Sequence, residues 1–160
     1  MKLSAKADYA VRAVLVLASH EGEGSLKGEL VAKAQDLPLK FVENILGELK
    51  HAGMVASQRG PEGGYRLAVP AEELTLADVI RIVDGPIAAV AGLRPDEVTY
   101  PPGAEALPEV WLEARAQLRS VLETMTFQQL LERSRVLAER QGDRRAPRTP
   151  APARTRPSHR

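Results

Sequence analysis

Residues 52–68, AGMVASQRGPEGGYRLA, decide how the rest of the chain is read. Upstream of Gly53 the apolar residues recur at three and four. Downstream the period drops to two, so Met54–Gln58 and Tyr65–Val69 are predicted as short strands joined by the loop Arg59–Gly64. Gly63 and Gly64 supply the positive φ that a tight hairpin needs. Immediately before it, a helix over about Pro38–Ala52 turns Val42, Ile45, Leu46 and Leu49 inward. Gly53 is its left-handed end. Lys40, Glu43, Asn44, Gly47, Lys50 and His51 are left on the opposite face.

Working outward, Ser25 is expected to cap a short helix through Leu30, Val31 and Ala34, and Asp36–Leu37–Pro38 breaks it. About four residues then separate the second helix from the third, the spacing of a helix-turn-helix. A first helix capped by Ser4 runs through Ala7, Val11, Val14, Leu15 and Ala18, with Asp8 in its first turn. The fold class that follows is mainly α with a small β-hairpin. It is a winged helix-turn-helix over residues 1–86.

Thr75 with Asp78 opens a fourth helix striped by Leu76, Val79, Ile80 and Val83, and Asp84–Gly85–Pro86 ends it. Residues 87–107 have no period, with Pro95, Pro101, Pro102 and Gly103 making a long loop; a loop of this size is expected to be either functional, as a signal-responsive region, or partly disordered. From Pro108 a seven-residue repeat of Trp111, Ala114, Leu118, Val121 and Met125 is expected to form a long dimerisation helix within residues 108–140. A core-facing helix is the alternative. Thr126 and Gln129 then cap a last helix through Phe127, Leu130, Leu131 and Leu137. Residues 141–160, rich in arginine and proline, are expected to be a disordered tail.

The 160 residues carry a net charge of +1, distributed unevenly: +1 over residues 1–70, −5 over 71–140 and +5 over 141–160. Bulk charge therefore does not mark a nucleic-acid binder, and the motif has to. There is no cysteine, which removes disulfides, thiolate nucleophiles and cysteine-held metal or iron–sulfur centres. His20, His51 and His159 are scattered and make no metal set. No spacing of nucleophile and base supports an enzyme. The absence of a long apolar run predicts a cytoplasmic protein with no membrane partner.

On the outer face of the third helix, Glu43 can accept from cytosine N4, Asn44 can pair with adenine, and Lys40 and Lys50 can meet phosphate or guanine. Arg59, at the base of the glycine loop, can enter a narrow minor groove. An ordinary solvated helix face and a surface turn are the alternatives at these positions.

The stretches MKLSAKADYAVRAVLVLA, LPLKFVENILGELKHAGMVASQRGPEGGYRLA and LTLADVIRIVDGP closely resemble the bacterial winged-helix regulators that include IscR, NsrR and CymR. The resemblance implies a homodimer that binds a near-palindromic operator in double-stranded DNA, without enzymatic activity. It places Lys40 and Glu43 where that family's recognition helix reads bases and Arg59 where its wing arginine enters the minor groove, with Gly60, Gly63, Gly64 and Tyr65 completing the wing signature. Many members hold an iron–sulfur cluster on three cysteines in the loop before the dimerisation helix. This chain has none there, so a cofactor-free regulator, most simply a repressor, answering to a small-molecule or protein effector is expected. A winged-helix adaptor that binds protein is the competing expectation, and the acidic 71–140 segment suits it.

Overall fold

The computed structural model describes residues 3–90 and 92–145, and of residues 142–145 the backbone alone. Helix α1 (Ala5–Ser19) is capped as its sequence requires, Ser4 Oγ accepting the Ala7 N–H at 2.9 Å. Its inward face, Ala7, Ala10, Ala13, Val14, Leu17 and Ala18, is mostly alanine. Small side chains let several elements approach one helix closely, and α1 packs against α2 (Gly28–Ala34), α3 (Leu39–His51), the hairpin, the next helix and the last one.

Gln35–Pro38 form the turn between α2 and α3. Asp36 takes a left-handed φ of 51°, a conformation that aspartate tolerates better than most residues, and Leu37 tucks into the core as its N–H donates to Ala32 at 2.9 Å. Arg12 of α1 donates to the Gln35 backbone carbonyl, clamping the turn from below.

Ser25 does not cap α2. Leu26 is extended and pairs with Tyr65, each N–H donating to the other's carbonyl at 2.8 and 2.7 Å, so the helix begins two residues later than expected, with Lys27 at its N-cap. Long-range pairing has overridden a local capping signal.

The hairpin is antiparallel, with β1 (Val55–Gln58) and β2 (Gly64–Leu67) in the register Val55↔Leu67 to Gln58↔Gly64. Gly64 and Gly60 have positive φ, 148° and 102°, but Gly63 does not. Glycine is needed at 63 for closeness instead, since a Cβ there would lie 2.5 Å from the Gln58 carbonyl and 2.7 Å from that of Gly60.

Helix α4 (Leu76–Asp84) opens on the expected capping box of Thr75 and Asp78. The expected loop folds back along α5 (Leu107–Thr124) through a Val90–Leu93 pairing and a single 3-10 turn at Pro95–Glu97, burying Ile87 and Pro95. Met125 does not belong to the helical stripe of α5; it is the extended residue after it, and its carbonyl accepts the Leu76 N–H at 3.0 Å. Helix α6 (Phe127–Arg145) starts with the Thr126–Gln129 box and passes the expected boundary at residue 140. The expectation of a disordered tail otherwise lies outside the described residues.

Phe127 joins the C-terminal helices to the rest. It is fully buried in the cluster formed by α1, α2 and α3, and its N–H donates to Leu74 while that of Gln128 donates to Ala71, both at 3.0 Å. A second, smaller cluster of Ala7, Ala77, Ile80, Ile87 and Leu122 fills the space between α1, α4 and α5. Burial of one such large side chain is worth about 1.5–3 kcal/mol.

Candidate nucleic-acid interface

Along α3 the buried residues Val42, Ile45, Leu46 and Leu49 leave one continuous polar strip. Lys40, Glu43, Asn44, Gly47 and Lys50 recur at three and four and are all exposed, as are His51 and, on the flank, Phe41. At 1.5 Å per residue the helix is about 20 Å long, enough to lie along a major groove. Glu48, at the edge of the strip, is spoken for: Lys6 of α1 donates to its carboxylate at 2.7 Å. Among the described residues no ion pair engages Lys40, Glu43, Lys50, Arg59 or Arg66. Their charges are presented to solvent.

The wing lies beside this strip because three elements converge on Gly28. A Cβ at that position would be 3.6 Å from Tyr65 Cε2, 3.7 Å from Glu43 Cγ and 3.9 Å from Leu39 Cδ1. Glu43 of α3 and Tyr65 of the wing are therefore separated only by the first turn of α2. The Leu26–Tyr65 pairing ties the wing to the chain just before α2. Arg59 and Gly60 sit exposed at the wing tip, and Arg66 is exposed on β2.

The sequence-predicted residues divide accordingly. Lys40, Glu43, Asn44, Lys50, Arg59 and Gly60 are all exposed. Tyr65 is half-buried and packs on the core, while Gly63 is buried and Gly64 faces the Leu26 backbone, so these three shape the wing. Arg66 was not singled out from sequence. The signal was its alternation with Tyr65 in a two-residue period, which turns it outward.

On the second helix pair, Trp111, Ala114 and Val121 of the expected dimerisation stripe are exposed, Leu118 is half-buried against the smaller cluster, and the residue wholly buried from α5 is Leu122. The Trp111 indole donates to the Tyr100 hydroxyl at 3.0 Å. Val110, Leu112, Val136 and Leu137 extend the exposed apolar surface across α5 and α6. No described helix is long and apolar enough to cross a membrane.

Comparison with known proteins agrees with this architecture. Residues 3–133 match the Rrf2 family, described as "Iron-dependent Transcriptional regulator". A Mycobacterium tuberculosis protein provisionally named an HTH-type transcriptional regulator is 44% identical over 127 residues, 79% of each chain. CymR of Bacillus subtilis is 32% identical over 130 residues, 81% of this chain and 89% of that protein. The solved structure of B. subtilis CymR, titled as the global cysteine regulator, superposes with a TM-score of 0.72 at 31% identity, over 82% of this chain and 97% of that one. T. potens IscR superposes at 0.68 with 28% identity, over 84% and 88%.

The family description implies iron, and the residues present do not fit it. Residues 87–107 contain neither cysteine nor histidine. The carboxylates there are engaged by protein donors: Asp96 by Arg94 at 3.1 Å, Glu97 by the Arg94 N–H at 2.9 Å and Glu105 by the Gly103 N–H at 2.9 Å. Backbone hydrogen bonds hold the Glu105 carboxyl below its ordinary pKa. Among the described residues no three His, Cys, Asp or Glu side chains gather as a metal set. The three-helix core, the turn between α2 and α3, the glycine-hinged wing and the match over most of the chain together make this protein a member of the Rrf2 family of winged-helix transcriptional regulators, built without the family's iron ligands.

Proposed function

We propose that the chain binds a near-palindromic operator in cytoplasmic double-stranded DNA as a homodimer and represses the adjoining promoter. The observation that carries this reading is the polar strip of α3, with Lys40, Glu43 and Lys50 free of ion pairs among the described residues, lying across Gly28 from a wing that the Leu26–Tyr65 bridge ties to the chain before α2. In it, residues 1–86 read DNA, with Glu43 and Asn44 at base edges in the major groove and Lys40 and Lys50 at phosphate or guanine. Arg59, beside Gly60, reaches the adjacent minor groove. Residues 108–140 supply the dimer contact through Trp111, Ala114, Leu118 and Val121, with Met125 at its end. The exposed apolar side chains of α5 are the support for that assignment.

Two such units on one face of the duplex would place their recognition helices about 34 Å apart, or a multiple of that. Two weak half-sites then act as a single specific one. The test is recovery of genomic fragments bound by the purified protein, followed by footprinting. Paired protections one or two helical turns apart, lying over promoters and lost in Val121→Glu together with the dimer, are expected. Sequence-independent retention, or a single protected half-site bound by a monomer, refutes the reading.

A further inference from the structure

We infer that the hollow between the 86–97 segment and α5 is a binding site for a small carboxylate, with Arg115 as its anion-holding residue. Arg115 lies three and seven residues before Leu118 and Leu122, so it continues the face that α5 turns toward α4 and the loop. Arg115 is half-buried and lines the hollow. Among the described residues its Nε is buried without a hydrogen-bond partner and Arg115 makes no ion pair. A guanidinium cannot shed its charge to relieve this, so the arrangement calls for an acceptor from outside.

The other charged groups around the hollow are Arg94 and Glu97, with Asp96 beside them. They are partly satisfied among themselves, Arg94 by Asp96 at 3.1 Å and Glu97 by the Arg94 backbone N–H at 2.9 Å. The remaining walls are apolar: Pro86, Ile87, Ala89 and Leu93. The hollow measures about 160 Å³. A cavity of about 150 Å³ holds a molecule the size of benzene, so the occupant has roughly six heavy atoms. One unpaired guanidinium above apolar walls selects a short-chain acid, its carboxylate on the Arg115 fork and its alkyl end against Ile87 and Leu93.

The position also gives the ligand something to do. The segment joins the end of α4, where Gly85 turns at φ 80°, to the exposed helix α5, and Ala88 within it is held at φ 56°. A non-glycine residue in that region is strained backbone that the surroundings must enforce. An acid bridging Arg115 to this segment would fix α4 against α5.

The test uses the full chain and no DNA, so its failure leaves the DNA reading untouched. Propionate, its neutral isostere propionamide, and alanine are titrated by calorimetry at constant ionic strength. Propionate is expected to bind once per chain and propionamide not at all; alanine binding as well shows that an ammonium group is accepted beside Glu97, whereas its exclusion restricts the class to simple acids. Arg115→Met, with its melting temperature unchanged, should weaken propionate at least about tenfold, the loss of one charge-assisted hydrogen bond. Should that variant fold poorly, Glu97→Gln, at an exposed position, serves instead and should tighten propionate severalfold by removing a like charge. Equal binding of propionate and propionamide, no binding of either, or affinity unmoved by the substitution that folds overturns the assignment.

Discussion

Replacing Gly64 by alanine tests whether the wing is held by the helix-turn-helix or merely follows it. A Cβ at 64 would run into the Leu26 carbonyl and lie 2.8 Å from the Lys27 nitrogen, at a backbone φ of 148°. Those are the atoms of the Leu26–Tyr65 bridge, whose two hydrogen bonds are 2.8 and 2.7 Å long. Alanine must push β2 away from them. Each bond contributes about 1 kcal/mol net, and the disfavoured φ adds about 1–2 kcal/mol, so the loss is about 3–4 kcal/mol.

Gly60→Ala is the control. Its φ is 102°, yet nothing lies within 4 Å of the added methyl, so only the backbone cost of about 1–2 kcal/mol applies. The difference of about 2 kcal/mol corresponds to melting temperatures separated by roughly 4–8 °C for a chain of this size. Thermal denaturation followed by circular dichroism reads the stability. Fluorescence anisotropy on the operator reads the function, and Gly64→Ala should lose the more affinity because wing and α3 no longer share an anchor. If the two variants melt together and bind DNA alike, the bridge does not fix the wing.

Other outcomes follow from the same geometry. Arg59→Ala, at an exposed residue without an ion pair, should weaken operator binding by about 1–3 kcal/mol and leave the melting temperature unmoved; full affinity in a filter-binding titration removes it from the interface. Glu43→Ala should broaden the preferred half-site in a binding selection, and a profile identical to the parent's contradicts base reading by Glu43. Hydrogen bonds from Arg119 at 2.8 Å, and then from Arg81, hold the Glu123 carboxyl below its ordinary pKa and tie α4 to α5. A lowered folded pKa stabilises above the unfolded value, and that stabilisation is lost as pH falls through the folded one. Glu123→Gln should therefore melt lower than the parent at neutral pH, with the gap closing in acid; a gap independent of pH rules out this linkage.

Much of the interface is legible locally. The 3.6-residue period of α3 sets which side chains it turns outward, and Ser4, Thr75 with Asp78, and Thr126 with Gln129 cap their helices as short-range chemistry dictates. Lys40, Glu43, Asn44 and Lys50 share a face because of that period alone. The glycine-rich segment between two period-two stretches fixes the hairpin.

Tertiary structure decided the features that depend on partners distant in the chain. Ser25 offers a cap, but a strand-like pairing of Leu26 with Tyr65 displaces the helix start, and no window around Ser25 contains Tyr65. Gly63 reads as a turn glycine and is instead a residue with carbonyls too near for a side chain. Met125 continues a heptad by counting, yet the backbone leaves the helix there to bond Leu76. Phe127 carries the same lesson for the core: only folding places it among helices that lie within the first 51 residues of the chain. Periodicity and capping energies act over a few residues, whereas pairing, close approach and the burial of the Arg115 Nε are set by which segments the hydrophobic core brings together.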